Sequence, residues 1–365
     1  MNNFSALDLV HLPMCLAAHG YADFVTSHIR FGCQMERMLA AADSALVELR
    51  PLLDLFLFGR TAQIDALAPV IKELLPALIE LDIVVPVDGG LVQSTGLSLL
   101  PIFGRWVFSQ QLLPSPAVYF GDDTLALMQR LTPPQDGTIL DLCSGPGTLA
   151  LHCAGFAREV VAVEINPAAA AVARLNVVMN RLVDRVCLYI GDLYTPVAGQ
   201  RFDLITANPP LIPLPRNLPF PFVGHGGEDG LAVTRRIIRE APNYLTDTGS
   251  VQIIGTCLSD GILPAVVDAL DDILPSALDV LVTVTAHMPL RRGDWQFEML
   301  AATARPLKNR DGTLASDPHH LIEDFLERAN VDHLAYFLLR LNHGRGIINV
   351  MDLSDEGNRN SLWYA

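Results

Sequence analysis

From Thr138 onward the chain alternates short apolar runs with amphipathic segments, and this alternation restricts the possible folds more than any other feature. Four helices are predicted, over Thr148–Ala157, Pro167–Asn180, Gly230–Leu245 and Leu263–Ile273. The apolar runs predict seven strands, at Thr138–Cys143, Val160–Ile165, Val186–Ile190, Phe202–Ala207, Val251–Thr256, Val280–Ala286 and Phe297–Ala304. Strands and helices in alternation indicate the α/β class, with one seven-stranded Rossmann-like sheet that carries helices on both faces.

Residues 1–112 have a different pattern, which predicts a mainly helical N-terminal domain. Leucines at helical spacing, Leu39 to Leu53, are followed by two helical segments, Ile64–Ala68 and Val70–Leu81. The stretch Ile83–Gln93 alternates around an Asp-Gly-Gly turn and predicts a hairpin. Three helices followed by a hairpin resemble a winged helix.

The charge balance argues against nucleic acid as the partner of this winged-helix-like domain. Residues 1–110 contain 11 acidic and 6 basic side chains, a net charge of −5, and the whole chain carries −15. Proteins that bind phosphates need clustered Lys and Arg, so a role in substrate binding or dimerisation is the better expectation. A homodimer is an open expectation.

The chain after the predicted sheet gives a weaker pattern. The sheet domain is expected to span residues 113–310. A polar loop then leads to a helical pair, His320–Arg328 and His333–Leu341, and to a strand-like run at Ile347–Leu353. We treat residues 311–365 as a C-terminal extension of undetermined role.

The cysteines and the hydropathy indicate the cellular compartment and argue against a metal site and a membrane span. The six cysteines form no C-x-x-C pair, which predicts reduced, buried thiols and no metal site. Charges, Pro or Gly interrupt every apolar stretch before about 18 residues accumulate, so no membrane span is expected. These features predict a cytoplasmic protein.

The first motif with chemical content lies where the first predicted strand of the sheet meets its helix. It reads Asp141-Leu-Cys-Ser-Gly-Pro-Gly-Thr-Leu149. Gly145 and Gly147 allow a ligand to approach the backbone, and the helix start offers free N–H groups. The glycine spacing alone also matches a dinucleotide loop. A carboxylate at Asp141 is unfavourable for a pyrophosphate but suits the ammonium group of a methionine moiety.

Two further acids follow the next two strands. Glu164 can accept hydrogen bonds from both ribose hydroxyls, and Asp192 can accept one from an adenine amino group. Ligands of open α/β sheets bind outside the carboxyl ends of the strands. Three acids at successive strand ends therefore predict one nucleoside site.

The most specific motif is Asn208-Pro-Pro-Leu211, which directly follows Phe202–Ala207. Two prolines fix the turn and hold the Asn208 side-chain oxygen and a backbone carbonyl as a rigid pair of acceptors. Such a pair can bind the N–H groups of a nitrogen nucleophile and direct its lone pair at a sulfonium methyl group.

These motifs together resemble class I S-adenosylmethionine-dependent methyltransferases, in the branch that includes release-factor glutamine methyltransferases and N-directed nucleic-acid methyltransferases. The resemblance covers roughly residues 115–305 and implies a methyltransferase sheet with S-adenosyl-L-methionine as the cofactor. It also suggests that the segment Tyr119–Thr124 closes over the cofactor. The implied cofactor-binding residues are Tyr119, Thr124, Asp141, Ser144, Gly145, Gly147, Thr148, Leu149, Glu164, Ile165, Asp192, Leu193 and Asn208.

The resemblance also suggests catalytic and acceptor-binding residues. Asn208 and Pro209 are expected to hold the acceptor nitrogen, and His225 is a candidate base. Gly226–Leu231 resembles the Gly-Gly-x-Asp-Gly-Leu stretch of the glutamine-methylating and related small-domain enzymes. The expected substrate-binding residues are Pro210, Leu211, Phe220, Phe222, Glu228 and Asp229.

The expected function is methyl transfer to a nitrogen of a small molecule, peptide or protein. Enzymes that act on planar bases commonly carry Tyr or Phe where this chain has Leu211, so a nucleobase acceptor is less supported. Three alternatives stay open: an O-methyltransferase of a small natural product, an rRNA or tRNA base methyltransferase, and a non-catalytic cofactor-binding scaffold.

Overall fold

The computed structural model describes residues 9–28, 35–110, 117–216, 224–304 and 317–354. The chain divides into two compact units. Unit 1 comprises residues 1–128 and 135–196, and unit 2 comprises residues 129–134 and 197–365. The division therefore falls inside the segment 113–310 that the sequence pattern treats as one domain.

In its described residues, the N-terminal part of unit 1 combines five helices with two small antiparallel sheets. The helices are α1 (Leu12–Ala18), α2 (Tyr21–His28), α3 (Met35–Ala42), α4 (Arg50–Phe56) and α5 (Pro69–Glu80). The strands are β1 (Thr61–Gln63), β2 (Val84–Val87) and β3 (Leu91–Ser94), in the order β1-β3-β2, and β4 (Ser98–Ile102) with β5 (Arg105–Ser109).

Local sequence explains the best-predicted of these elements. Pro69 occupies the first turn of α5, where its missing N–H has no partner to lose, and the helix buries its apolar face. The predicted hairpin is confirmed as β2 and β3, with Gly89 and Gly90 at positive φ in the turn. The segment expected as a helix at Ile64–Ala68 is instead a short 3₁₀ turn over Ile64–Ala66.

The remainder of unit 1 is a parallel α/β arrangement. Its strands β6 (Thr138–Leu142), β7 (Glu159–Glu164) and β8 (Val186–Ile190) pair in that order. β6 and β7 are largely buried, whereas β8 is mostly exposed. Asn166 caps α8 by accepting the Ala168 N–H at 3.0 Å, with Pro167 in the first turn, as the sequence predicts. The elements are α6 (Asp122–Arg130, which ends in unit 2), β6 (Thr138–Leu142), α7 (Thr148–Cys153), β7 (Glu159–Glu164), α8 (Pro167–Met179) and β8 (Val186–Ile190).

Unit 2 contains a mixed sheet whose strands lie in the order β9 (Phe202–Ala207), β10 (Leu245–Ser259), β12 (His333–His343), β11 (Leu278–Pro289) and β13 (Ile348–Asp352). β10 is parallel to β9, β12 is antiparallel to both β10 and β11, and β13 is parallel to β11. The elements are β9 (Phe202–Ala207), α9 (Ala232–Glu240), β10 (Leu245–Ser259), α10 (Ala265–Ile273), β11 (Leu278–Pro289), α11 (Trp295–Ala304), α12 (Pro318–Ala329), β12 (His333–His343) and β13 (Ile348–Asp352).

The strand prediction is wrong at two places. Phe297–Ala304 lies within helix α11, and His333–Leu341, predicted as a helix, lies within strand β12. Because β12 is flanked by two strands and is buried on both faces over much of its length, its sequence is a nearly continuous apolar run without strand alternation. The chain from Thr138 onward thus has eight strands instead of seven within the described residues. Within residues 317–354, the C-terminal extension contributes one helix, and two strands to the unit 2 sheet.

The thiols are not uniformly buried, contrary to expectation. Cys153 and Cys257 are buried, but Cys187 is exposed, and Cys33 lies outside the described residues. No His, Cys, Asp and Glu side chains of the described ranges cluster in a way that could hold a metal ion. Within the same ranges, every helix is too short or too polar to cross a membrane.

Candidate functional site

The glycine loop after β6 has a backbone that most residues cannot adopt. Gly145 and Gly147 have φ angles of +54° and +79°, and Cys143 is also left-handed at +56°. The Gly147 N–H donates to the Ser144 carbonyl at 2.8 Å, which closes the turn. A Cβ at Gly147 would lie 3.3 Å from the Ala173 Cβ of α8. The loop therefore needs glycine both for its conformation and for its close approach to α8.

Three buried polar side chains of this loop carry an atom without a hydrogen-bond partner. Asp141 is fully buried, and its Oδ2 accepts the Ala150 N–H at 3.0 Å while its Oδ1 accepts none. Ser144 Oγ and Thr148 Oγ1 are also buried without a hydrogen-bond partner. Buried polar groups are nearly always satisfied, so these atoms indicate a polar ligand that supplies the missing partners.

Burial dominates the electrostatics of Asp141. It raises the pKa of this carboxyl well above its ordinary value, and nearby Glu164 raises it further, although the Ala150 N–H opposes the shift. A buried carboxylate in this situation gains from a cation at its bare oxygen. The ammonium group of an S-adenosylmethionine methionine moiety matches that requirement.

Glu164 at the end of β7 is held by two backbone donors. Its Oε2 accepts the Gly145 N–H and its Oε1 accepts the Asn166 N–H, both at 2.7 Å. Burial raises its pKa, while these hydrogen bonds and one from Ile165 oppose the rise. Each carboxylate oxygen retains acceptor capacity, so the geometry suits two ribose hydroxyls. The adjacent Ile165 is 43% exposed and offers an apolar surface.

Asp192 follows β8, the neighbouring strand of β7. The Gly191 N–H donates to the Glu164 carbonyl at 3.0 Å, which places Asp192 beside the end of β7. Leu193 is buried with φ at +47°. The structure therefore brings together the three acids of the predicted site, which lie at or near the carboxyl ends of β6, β7 and β8.

The segment Tyr119–Thr124 lies against the glycine loop. The Tyr119 carbonyl oxygen is 3.6 Å from the position of a Cβ on Gly145. The Tyr119 hydroxyl donates to Asp123 Oδ1 at 3.0 Å, and the same oxygen accepts the Thr124 N–H at 2.7 Å. A Cβ at Gly121 would lie 2.0 Å from the Tyr119 hydroxyl oxygen. Gly121 thus allows the ring to fold back over its own segment.

In unit 2 the Asn208–Leu211 loop follows β9 and is fixed at its far end. The Thr256 hydroxyl of β10 donates to the Leu211 carbonyl at 2.7 Å. Pro209 is buried, whereas Asn208, Pro210 and Leu211 are half-buried. The loop is therefore supported by the neighbouring strand as well as by its two prolines.

The glycines of the Gly226–Leu231 stretch pack directly on this loop. A Cβ at Gly226 would lie 2.8 Å from the Leu211 carbonyl carbon. A Cβ at Gly230, which has φ at +87°, would lie 2.4 Å from the Thr256 carbonyl oxygen and 2.9 Å from that of Leu211. The two motifs thus form one packed substructure. Neither this packing nor the role of Thr256 is predicted by a local sequence pattern.

The two acids of the Gly226–Leu231 stretch are engaged within the protein. Glu228 pairs with Arg216 at 2.8 Å, and Asp229 forms a bidentate pair with Arg235 and accepts the Leu231 N–H at 3.0 Å. Burial raises the pKa of Asp229, but the Arg235 and Leu231 hydrogen bonds outweigh it and bring the pKa below its ordinary value. Their expected substrate-binding roles stay predictions.

His225 has a fixed ring orientation. Its Nδ1 accepts the Gly227 N–H at 3.1 Å, so the neutral ring carries its hydrogen on Nε2. The basic nitrogen is therefore already engaged, and the candidate role as a catalytic base stays a prediction. The expected substrate residues Phe220 and Phe222 lie outside the described residues.

Known proteins resemble this chain in the region of these motifs. A family model described as the methyltransferase small domain matches residues 120–259. A ribosomal protein uL3 glutamine methyltransferase of Bradyrhizobium diazoefficiens is 41% identical over 123 residues, which cover 31% of this chain and 39% of that protein. A release factor glutamine methyltransferase of Geobacter sulfurreducens is 36% identical over 131 residues, which cover 33% and 45%.

A third relative is matched over most of its length. It is a Methanocaldococcus jannaschii protein named as a candidate protein N5-glutamine methyltransferase, and it is 34% identical over 152 residues. The match covers 40% of this chain and 75% of that relative, whereas the match to the uL3 enzyme spans only 39% of the enzyme's length. With the glycine loop, the three acids and the Asn-Pro-Pro-Leu loop, this similarity shows that the chain belongs to the methyltransferase small-domain family of class I S-adenosylmethionine-dependent methyltransferases.

Proposed function

We propose that the protein transfers a methyl group from S-adenosylmethionine to a side-chain nitrogen of a protein, with a glutamine amide as the acceptor. The observation that carries this proposal is the Asn208–Leu211 loop, which is held by its prolines, by contacts with Gly226 and Gly230 and by the Thr256 hydrogen bond. A rigid loop of this kind suits a planar amide as the methyl acceptor. The names of three relatives support the same acceptor. They are a ribosomal protein uL3 glutamine methyltransferase, a release factor glutamine methyltransferase and a candidate protein N5-glutamine methyltransferase.

In this proposal, different residues of unit 1 bind different parts of the cofactor. The Asp141 carboxylate would receive the ammonium group, Glu164 the ribose hydroxyls and Asp192 the adenine amino group. The buried hydroxyls of Ser144 and Thr148 would form hydrogen bonds with the methionine moiety. When bound, S-adenosylmethionine supplies a sulfonium methyl group.

Asn208 and Pro209 would position the acceptor. The Asn208 side-chain oxygen and a backbone carbonyl accept the two N–H groups of the amide and orient its nitrogen. Attack on a sulfonium methyl requires an in-line nucleophile more than it requires a base, so orientation accounts for most of the rate. The proton of the methylated amide then leaves to solvent.

A hydroxyl acceptor is disfavoured by the geometry of His225. An alcohol must lose its proton during attack, which requires a nearby base. The only nitrogen of the neutral imidazole that can accept a proton is engaged by the Gly227 N–H. The net charge of −15 likewise disfavours RNA as the acceptor.

For the N-terminal part we propose acceptor recognition by a winged-helix-like domain. Helices α4 and α5 and the three-stranded β1-β3-β2 sheet support this part of the proposal. The acidic balance of residues 1–110 suits a basic protein partner. A cytoplasmic location and a homodimer remain parts of this proposal.

The test is methyl transfer from labelled S-adenosylmethionine to a fractionated cell extract, followed by mass spectrometry of labelled proteins. We expect one added methyl group on glutamine. Asn208→Ala should reduce the rate roughly 10²- to 10³-fold, by analogy with removal of one preorganised polar group, and leave S-adenosylhomocysteine affinity nearly unchanged. Asn349→Ala, at an exposed position of β13, is the control. Label that enters only RNA or small molecules would refute the proposal.

A further inference from the structure

Asn176 of helix α8 and Asn180, the residue that follows the helix, bind the edge of strand β5 as a neighbouring strand would. Asn176 Oδ1 accepts the Phe108 N–H at 2.7 Å, and its Nδ2 donates to the Phe108 carbonyl at 3.0 Å. Asn180, one turn later, accepts the Trp106 N–H at 2.9 Å and donates to the Trp106 carbonyl at 2.7 Å. Four hydrogen bonds thus fix the second hairpin of the N-terminal part to the helix that follows Glu164.

The two asparagines differ in their third hydrogen bond. Asn176 Nδ2 also donates to the carbonyl of Pro146, between the two glycines of the glycine loop, at 2.9 Å. The equivalent donor of Asn180 goes instead to the Asn176 carbonyl of its own helix at 2.7 Å. Asn176 is fully buried, so one side chain joins β5 to the glycine loop without water between them.

The hairpin that Asn176 holds is firmly attached to the N-terminal helices. The Tyr21 hydroxyl donates to the Leu99 carbonyl at 2.8 Å, and the Tyr21 ring stacks on Trp106 with a centroid distance of 6.0 Å. The Ser98 hydroxyl donates to the Leu57 carbonyl at 2.7 Å. A displacement of these helices would therefore move β5 and the groups that it binds.

A second connection leads from the end of β5 to the same loop. Gln110 Oε1 accepts the N–H groups of Ala117 and Val118 at 2.8 and 3.2 Å. The next residue is Tyr119, whose carbonyl lies beside Gly145. The glycine loop is thus bordered on two sides by groups that β5 and the residue following it hold in place.

We propose that Asn176 is a positioning residue through which the docking of the N-terminal part sets the shape, and hence the cofactor affinity, of the glycine loop. The inference rests on the proposed function only for the identity of the cofactor. By linkage, cofactor binding must also strengthen the attachment of β5, because coupling between two sites is reciprocal. Recognition of an acceptor by residues 1–112 would then change the cofactor affinity of the glycine loop.

The test compares Asn176→Ala with Asn180→Ala in the full chain. Both variants lose two hydrogen bonds to β5, but only Asn176→Ala loses the bond to Pro146. We expect both variants to lose thermal stability, Asn176→Ala more because its partners are buried, and a roughly 3- to 10-fold weaker S-adenosylhomocysteine affinity for Asn176→Ala alone. Equal affinities of the two variants by calorimetry would overturn the proposal. Calorimetry without an acceptor is independent of whether glutamine is the methylated group.

Hydrogen exchange of the wild-type protein tests the reciprocal effect and does not depend on a variant that folds. Saturation with S-adenosylhomocysteine should slow amide exchange in residues 105–109 more than in residues 91–94. The latter form strand β3, which is also in the N-terminal part but pairs only with β1 and β2 in the described sheets. The same small change in both peptides would show that the loop and the hairpin are not coupled.

Discussion

Replacing Asp141 by Asn should stabilise the protein without cofactor and weaken cofactor binding at the same time. Asp141 is fully buried, one of its carboxylate oxygens has no hydrogen-bond partner, and Glu164 adds a second buried carboxyl nearby. In Asp141→Asn the amide oxygen can keep the hydrogen bond from Ala150, while the uncompensated charge disappears. The substitution thus relieves a cost that the folded protein bears only for its ligand.

The magnitude follows from the loss of the charge, because the Nδ2 of the asparagine would still lack a partner. A charged group left unsatisfied in the interior costs more than a neutral group, for which the cost is about 1–3 kcal/mol, so Asp141→Asn should raise the free energy of unfolding by about 1 kcal/mol. The hydrogen bond that the carboxylate would make to an ammonium group contributes about 1.5–3 kcal/mol. Its loss should weaken S-adenosylhomocysteine binding roughly 10- to 150-fold.

The pH dependence has a definite sign. Burial raises the pKa of Asp141 in the folded protein above its ordinary value of 3.8. The unfolded chain therefore ionises first as pH rises, and the cost to the wild type grows until the raised pKa is passed. The stability advantage of Asp141→Asn should be full above that pKa and should shrink as pH falls toward 3.8.

Chemical denaturation of both proteins across this pH range, with calorimetry of the cofactor product, measures the two effects. Asp184→Asn, at an exposed carboxylate of the same unit, is the control and should change neither quantity appreciably. A less stable Asp141→Asn protein with a pH-independent difference would refute the assignment of Asp141 as an uncompensated buried charge.

Three further substitutions test the two loops. Gly147→Val places a branched side chain at a φ of +79° and against helix α8, so calorimetry should detect no S-adenosylhomocysteine binding; unchanged affinity would contradict the placement of the cofactor. Gly230→Ala brings a Cβ to 2.4 Å from a carbonyl oxygen of β10. The control is Gly293→Ala, because Gly293 has a similar positive φ but no atom within 4 Å of the added Cβ. Gly230→Ala should therefore lower the free energy of unfolding by about 1–3 kcal/mol more than the control. Equal losses would show that φ alone matters. His225→Gln should keep the methylation rate within a few-fold, whereas a loss above about 100-fold would restore the histidine as a base.

The parts of the fold that local sequence specifies are the parts that were predictable. Strands β6 to β9 and helix α8 have compact apolar runs, a cap at Asn166 and glycine punctuation, and the structure has them within a residue of the prediction. β12 was not predictable in this way, because a strand buried on both faces has no alternation and resembles a helix core. Its place between β10 and β11 depends on long-range pairing.

The same division applies to the site. The glycine loop and the three acids are adjacent to predicted strand ends, so their grouping follows from the geometry of a parallel sheet. The packing of Gly230 on Thr256 joins elements far apart in sequence and leaves no local signal. Asn176 did leave one, since it is a polar residue within the apolar helical run Leu175–Met179, where a buried amide must have partners.

The two loops differ in how their polar groups are used, and this difference predicts the consequence of changing each. In the glycine loop, Asp141, Ser144 and Thr148 bury polar atoms that lack partners within the protein, which costs the fold stability. In the Gly226–Leu231 stretch, Asp229 is paired with Arg235 and its pKa is lowered, so its charge stabilises the fold. Removing a carboxylate charge should therefore increase stability in the first loop and reduce it in the second. The glycine loop thus carries unsatisfied polar groups, whereas both carboxylates of the Gly226–Leu231 stretch are paired with arginines.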